Sequence, residues 1–204
     1  MNAVVDKKKI SILGGTGFVG RALCKRLLQD GHDVSVITRG PAPQIENDFA
    51  EVNLKVLTSS ASVDREAVLA DQDVLVNLSG ILHESRRQSF HDVHVEWPAS
   101  WTLAAHKAGL SKVLHMSALR ADMENPPSAY LRSKAAGERA VVDHANGMTI
   151  QIFRPSIIFG EGDNFFGQFA SLLRWVPVFP LVCPNSRFAP VWVEDVVSAF
   201  ANAL

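Results

Sequence analysis

With 204 residues, 47% hydrophobic and 20% charged, the chain has the composition of a globular domain large enough to bury its own core. A formal charge of -1 leaves no basic footprint for nucleic acid, and the Lys7-Lys8-Lys9 run serves as a solvated lead-in to the first strand. No apolar run reaches membrane-spanning length, the first residues lack a signal core, and Cys24 and Cys183 make no disulfide framework, so a reducing, cytoplasmic setting is expected.

The first element is an apolar run that opens at Ile10 and ends in Gly14, with Gly17 and Gly20 following at three-residue spacing. Residues 21–31 then place Leu23 and Leu27 on one helical stripe with Val19, and Gly31 supplies a left-handed stop. Strand, glycine turn and helix N-terminus together make a diphosphate cradle. Gly14 permits the turn, Gly17 lets the backbone approach a pyrophosphate, and Gly20 allows helix and strand to pack closely. The cofactor-contacting set expected here is Gly14, Thr16, Gly17, Phe18, Val19 and Gly20.

Further apolar runs at 34–38, 54–57, 73–78, 112–116 and 149–153 predict five more strands. Helical spacing fills 63–70, 90–108 and 129–144. The alternation predicts an α/β fold of the Rossmann type: a doubly wound parallel sheet with a ligand site at its carboxyl edge. Beyond Gly160 the pattern loosens, with Pro177, Pro180, Pro184 and Pro190 punctuating an aromatic stretch. Residues 1–160 are therefore expected to be a dinucleotide-binding domain. Residues 161–204 would begin a substrate-covering region packed on the same domain and continuing past Leu204. Phe165, Phe166, Phe169, Trp175, Phe179 and Phe188 are expected to be core.

Tyr130 is the single tyrosine, and Lys134 follows four residues later, behind a Ser128 N-cap. On a helix these two share a face, where an ammonium can lower a phenol's pKa toward that of a general acid/base. His91 and His94 stand three apart with His83 nearby, but no carboxylate or thiolate cluster completes a metal site. They are read as packing or surface histidines, and Glu194-Asp195 as serving the dipole of a last helix.

Four blocks, Gly14 to Gly20, Asn77-Leu-Ser-Gly80, Tyr130-Leu-Arg-Ser-Lys134 and Arg154 to Gly160, resemble those of the extended and atypical short-chain dehydrogenase/reductases, in the same order. Pro190 to Val196 is similar to a further block of the NAD-dependent epimerase/dehydratase group. His94-Val-Glu and His115 to Asp122 look most like the branch holding the nucleotide-binding accessory subunit of respiratory complex I and its bacterial relatives. The resemblance implies an oxidoreductase or epimerase-type enzyme in which Tyr130 is the acid/base and Lys134 holds the nicotinamide ribose. Leu78, Ser79, Gly80 and Pro155 join the cofactor contacts.

Three departures bear on this. The serine that normally completes the triad falls on Ala118, with Ser117 one place earlier; either Ser117 is re-aimed or the triad is incomplete. Thr38-Arg39-Gly40 stands where NAD-binding members carry an acid, which favours NADP(H) over NAD(H) because Arg39 can pair with a 2′-phosphate. Thr58-Ser59-Ser60 replaces the Asp that often meets adenine. The competing expectation is a catalytically silent NADP(H)-binding accessory, assembly or sensor protein. A small-molecule substrate of unread identity, a homodimer and association with a respiratory complex all stay open; nucleic-acid binding and membrane insertion are not expected.

Overall fold

Period-two alternation inside each strand builds the sheet. β1 (Lys9–Leu13) buries Ile10 and Ile12 on one face and Leu13 on the other. β2 (Asp33–Thr38) divides Val34 and Val36 from Ile37 in the same way. β4 (Val74–Asn77) divides Val74 and Val76 from Leu75, and β5 (Lys112–Met116) divides Leu114 from Val113. Both faces are apolar, so each must be covered by helices, as in a parallel sheet. The computed structural model describes residues 6–57, 64–163 and 187–204.

With β3 (Asn53–Val56) and β6 (Thr149–Phe153), six strands run in the order β3-β2-β1-β4-β5-β6, and all five pairings are parallel. The winding direction reverses between β1 and β4, and a crevice opens there outside the strand carboxyl ends. α1 (Phe18–Gln29) and α6 (Val193–Ala201) cover one face through Leu23, Leu27, Val197 and Phe200. α3 (Arg65–Leu69), α4 (Trp97–Lys107) and α5 (Ala129–Asp143) cover the other through Leu69, Trp101, Ala105 and Val141. Each fully buried Leu or Ile in these layers contributes roughly 1.5–3 kcal/mol.

β5 and β6 have the expected bounds, and Ser128 caps α5 by accepting from the Leu131 N–H at 3.1 Å. α3 is shorter than the spacing suggested, because Asp64 caps it by accepting from the Glu66 and Ala67 N–H groups. Three features went unread: a helix, a two-stranded ladder and a π-turn. α2 (Pro43–Asp48) starts on a proline, and β7 (Ile158–Phe159) pairs in parallel with β8 (Val191–Trp192) outside the main sheet. The third is a π-helical turn, Asp92–Glu96, within the helix expected at 90–108. α5 packs tightly on this turn, and a methyl at Gly137 would collide with the His94 carbonyl oxygen.

Phe188, expected in the core, is 67% exposed: it follows the aromatic stretch but meets no helix layer. Thr58-Ser59-Ser60, Phe165, Phe166, Phe169, Trp175, Phe179, Cys183 and the prolines at 177, 180 and 184 lie outside the described residues. Among the described residues no helix is long and apolar enough to cross a membrane.

Candidate functional site

The glycine loop is a cradle closed to side chains. Gly14 sits at φ +79°, and a methyl there would lie 2.9 Å from the Leu78 carbonyl carbon. A methyl at Gly20 would run into the Gly14 carbonyl oxygen and lie 2.6 Å from the Gly15 Cα. Gly17 is the N-cap of α1, which has neither a side-chain cap nor an acid in its first turn. The Gly17 N–H donates to the Gly14 carbonyl at 3.1 Å, while the amides after it and the positive end of the helix dipole are open to an anion. A dinucleotide diphosphate fits this chemistry.

Above the loop opens a cleft of about 510 Å³. Gly14, Thr16, Gly17, Leu78, Ser79, Gly80 and Arg39 all line it, which brings together most of the expected cofactor contacts. Phe18 and Val19 instead pack toward the core, Gly20 lies under the loop, and the Pro155 carbonyl accepts from the Leu119 N–H at 2.8 Å. Arg39 leaves the end of β2 through a turn closed by Thr38, whose hydroxyl donates to the Gly40 carbonyl at 3.0 Å. Sequence reading missed Trp97, Gln88 and Arg87 on the same cleft wall. The signal was available in the topology: β2 and β4 flank β1, so the segments that follow them converge over the glycine loop.

Tyr130 and Lys134 lie on α5 beside this cleft. The Tyr130 ring meets the His94 ring edge-on, with centroids 5.5 Å apart, and Phe90 stacks on His94 at 5.2 Å. A methyl built on Gly80 would lie 3.6 Å from His94 Nε2 and 3.9 Å from Lys134 Nζ, so both nitrogens reach the cleft wall. Lys134 is buried and donates to the Met116 carbonyl at 2.7 Å. Burial pulls its ammonium down to about 8, with Glu138 partly offsetting that. The expected lowering of the Tyr130 phenol does not occur: burial raises it, because the phenolate is disfavoured away from water.

His94 is a wired packing residue. Its Nε2 accepts from the Ile81 N–H at 3.0 Å, so Nδ1 carries the proton and donates to Ser133 Oγ at 2.8 Å. Ser133 in turn donates to the Tyr130 carbonyl at 2.7 Å. Burial, then the Lys134 charge, pushes the imidazole down to about 4, which fixes this neutral tautomer. His91 is exposed and lies 3.3 Å from Glu96.

Ser117 is buried, and among the described residues its hydroxyl makes no hydrogen bond; it lies toward the Glu138 carboxylate, whose charge it helps to favour. Glu138 lies eight residues along α5 from Tyr130, roughly 12 Å of helix. The structure thus places the Ser117 hydroxyl beside Glu138, not beside the phenol. Burial pushes the Glu138 carboxyl up, but the two hydrogen bonds from Arg154, the nearby Ser117 hydroxyl and the Arg154 and Lys134 charges outweigh it and keep it low. Ala118, at the usual serine position, offers no donor.

Residues 10–204 match the model of the NAD dependent epimerase/dehydratase family. The chain is 33% identical over 200 residues to NADH dehydrogenase [ubiquinone] 1 alpha subcomplex subunit 9, mitochondrial, of Mus musculus, covering 95% of this chain and 52% of that protein. It is 30% identical over 188 residues to a ceramide reductase of Caulobacter vibrioides, covering 91% of this chain and 57% of that one. The chain thus spans about half the length of the curated relatives it matches. UDP-glucuronic acid 4-epimerase from Bacillus cereus, solved with UDP-glucuronic acid and NAD, shares the fold: TM-score 0.78, 20% identity, 96% of this chain and 72% of that one.

Proposed function

The chain belongs to the NAD dependent epimerase/dehydratase family, and from that premise we propose that it binds NADP(H) and holds it rather than turning it over. The observation that carries the reading is the Ser117 hydroxyl, buried away from the cleft lining, with Ala118 at the neighbouring position. Neither position then offers a hydroxyl to orient a substrate oxygen at the Tyr130 phenol. The glycine loop takes the diphosphate and Leu78, Ser79 and Gly80 border the cofactor. Arg39 pairs with the 2′-phosphate, and the Lys134 ammonium, with Pro155 nearby, attends the nicotinamide ribose. Bound there, the nucleotide supplies a transferable hydride at its nicotinamide ring.

In this assignment residues 1–160 hold the nucleotide and 161–204 begin the region that covers a substrate. The mouse relative is named as a subunit of a respiratory dehydrogenase, which supports an accessory role for this chain. Association with such a complex, or with a second copy, is the partner class that role carries, in a reducing cytoplasmic setting where Cys24 stays a buried free thiol. NAD(H) is the alternative ligand, and calorimetry with both nucleotides separates them.

A second reading, an NADP(H)-dependent oxidoreductase of a small carbonyl or hydroxyl substrate, is favoured by one observation. Tyr130 and Lys134 stand four apart on α5, with Lys134 Nζ against Gly80 in the cleft wall, as acid/base and ribose ligand would. The Caulobacter vibrioides relative, named a reductase, supports it. The deciding experiment is NADPH oxidation by the purified protein across a panel of carbonyl compounds. Stoichiometric binding with no oxidation supports the holder. Turnover that Tyr130→Phe abolishes establishes the enzyme.

A further inference from the structure

The Arg39 guanidinium does not stand alone. Its carbon lies 5.6 Å over the Trp97 ring, on the first turn of α4. With its oxygen turned toward Arg39, the Gln88 carboxamide accepts from Nη1 at 2.9 Å and from Nη2 at 2.8 Å. The reverse orientation would set amide N–H groups against guanidinium N–H groups. Among the described residues no carboxylate pairs with Arg39, so its charge is not neutralised.

Gln88 is itself held. It closes a tight turn with Ser85, whose N–H donates to the Gln88 carbonyl at 2.9 Å. The turn is tied to the helix behind it by two reciprocal bonds: the Ser89 N–H donates to Asp92 Oδ2, and the Asp92 N–H donates to Ser89 Oγ, each at 3.1 Å. The Phe90 N–H donates to Glu84 at 2.7 Å. An aromatic face and a neutral acceptor thus fix the guanidinium plane from two sides. Neither removes the charge that an anion needs.

We propose that Gln88 and Trp97 are specificity-determining positioning residues, which hold the Arg39 guanidinium open toward the 2′-phosphate of an adenine nucleotide. This rests on the reading that Arg39 selects NADP(H). A freely rotating arginine must be ordered when the phosphate arrives; one already clamped by an indole and an amide loses less freedom. A neutral amide is the right partner for that task, because a carboxylate in its place would form an ion pair with Arg39 and repel the phosphate.

The test is calorimetric titration with adenosine 2′,5′-bisphosphate (2′,5′-ADP) and 5′-AMP, which differ only in the 2′-phosphate. Affinity for 5′-AMP reports that the cleft is intact in each variant. Arg39→Met should erase the preference for 2′,5′-ADP. Gln88→Glu should cut 2′,5′-ADP affinity by about ten- to a hundredfold with 5′-AMP unchanged, the size of one charge-assisted contact. Trp97→Leu should narrow the preference severalfold, and Trp97→Phe should restore it. If Arg39→Met leaves the preference intact, the NADP(H) reading and this inference both fall. If Arg39→Met erases it while Gln88→Glu and Trp97→Leu do not, only the positioning role is overturned.

Discussion

Arg154 grips Glu138 with two parallel hydrogen bonds, Nε to Oε1 at 2.8 Å and Nη2 to Oε2 at 2.7 Å, one helical turn from Lys134. Asp122 also approaches Arg154, at 3.4 Å, so the arginine is shared between two acids. The Glu138 side chain is only 9% exposed, and Ser117 is buried on the same side. The pair therefore fills the space behind the cleft in which the serine lies.

Glu138→Gln should destabilise the protein by about 1–3 kcal/mol, the upper end being held down by solvent around the partly exposed Arg154. The sign with pH follows from the low folded-state value of Glu138. Its contribution is complete above the ordinary glutamate value of 4.5 and is lost as pH falls below it. Denaturant unfolding at pH 7 and at acid pH checks this: the gap between wild type and variant should narrow on acidification.

Lys134 sets an opposite pair of trends. Nucleotide affinity should fall as pH rises through about 8, where the ammonium loses its proton. Stability without nucleotide should rise over the range from about 8 toward 10.5, because neutralising the amine removes the cost of a buried charge. Binding and melting measured at pH 7 and 9 should diverge in wild type. Lys134→Met should flatten both.

Tyr130→Phe should leave NADPH affinity within about twofold, since its hydroxyl contributes at most one neutral contact. Lys134→Ala should weaken NADPH about ten- to a hundredfold by removing a charged donor. For a holder, Ala118→Ser adds no NADPH oxidation, and Tyr130→Phe changes no rate. Equal losses of affinity in the two variants would contradict the separate roles given to phenol and ammonium.

Gly20→Ala should lower the melting temperature and abolish nucleotide binding together. The added methyl meets backbone at Gly14 and Gly15, which cannot swing aside as a flexible side chain could. Calorimetry showing wild-type affinity in a folded Gly20→Ala protein would contradict the cradle geometry.

Strand alternation and glycine spacing made the sheet legible because both are local: Ile10 and Ile12 against Leu13 is a pattern that any reader of the chain can count. The Arg39 position was legible for the same reason, since it closes a strand. The Trp97–Gln88 clamp was not, because it joins two segments that meet only once the winding reverses at β1. Nor was the fate of Ser117. Its neighbour Glu138 is 21 positions away, and no spacing rule connects a strand end to the third turn of the next helix. The Tyr130 phenol was misjudged because proximity to a lysine was weighed without the burial that the packed His94 and Phe90 rings impose.

The π-turn at Asp92–Glu96 works as a phase shifter in the cleft wall. One surplus residue in a helix rotates everything before it by roughly 100° relative to everything after it. The turn that carries Gln88 lies before it and Trp97 directly after it. On the proposed reading of Arg39, a one-residue deletion there would rotate Trp97 and α4 relative to the Gln88 turn and open the clamp with each of its residues still present.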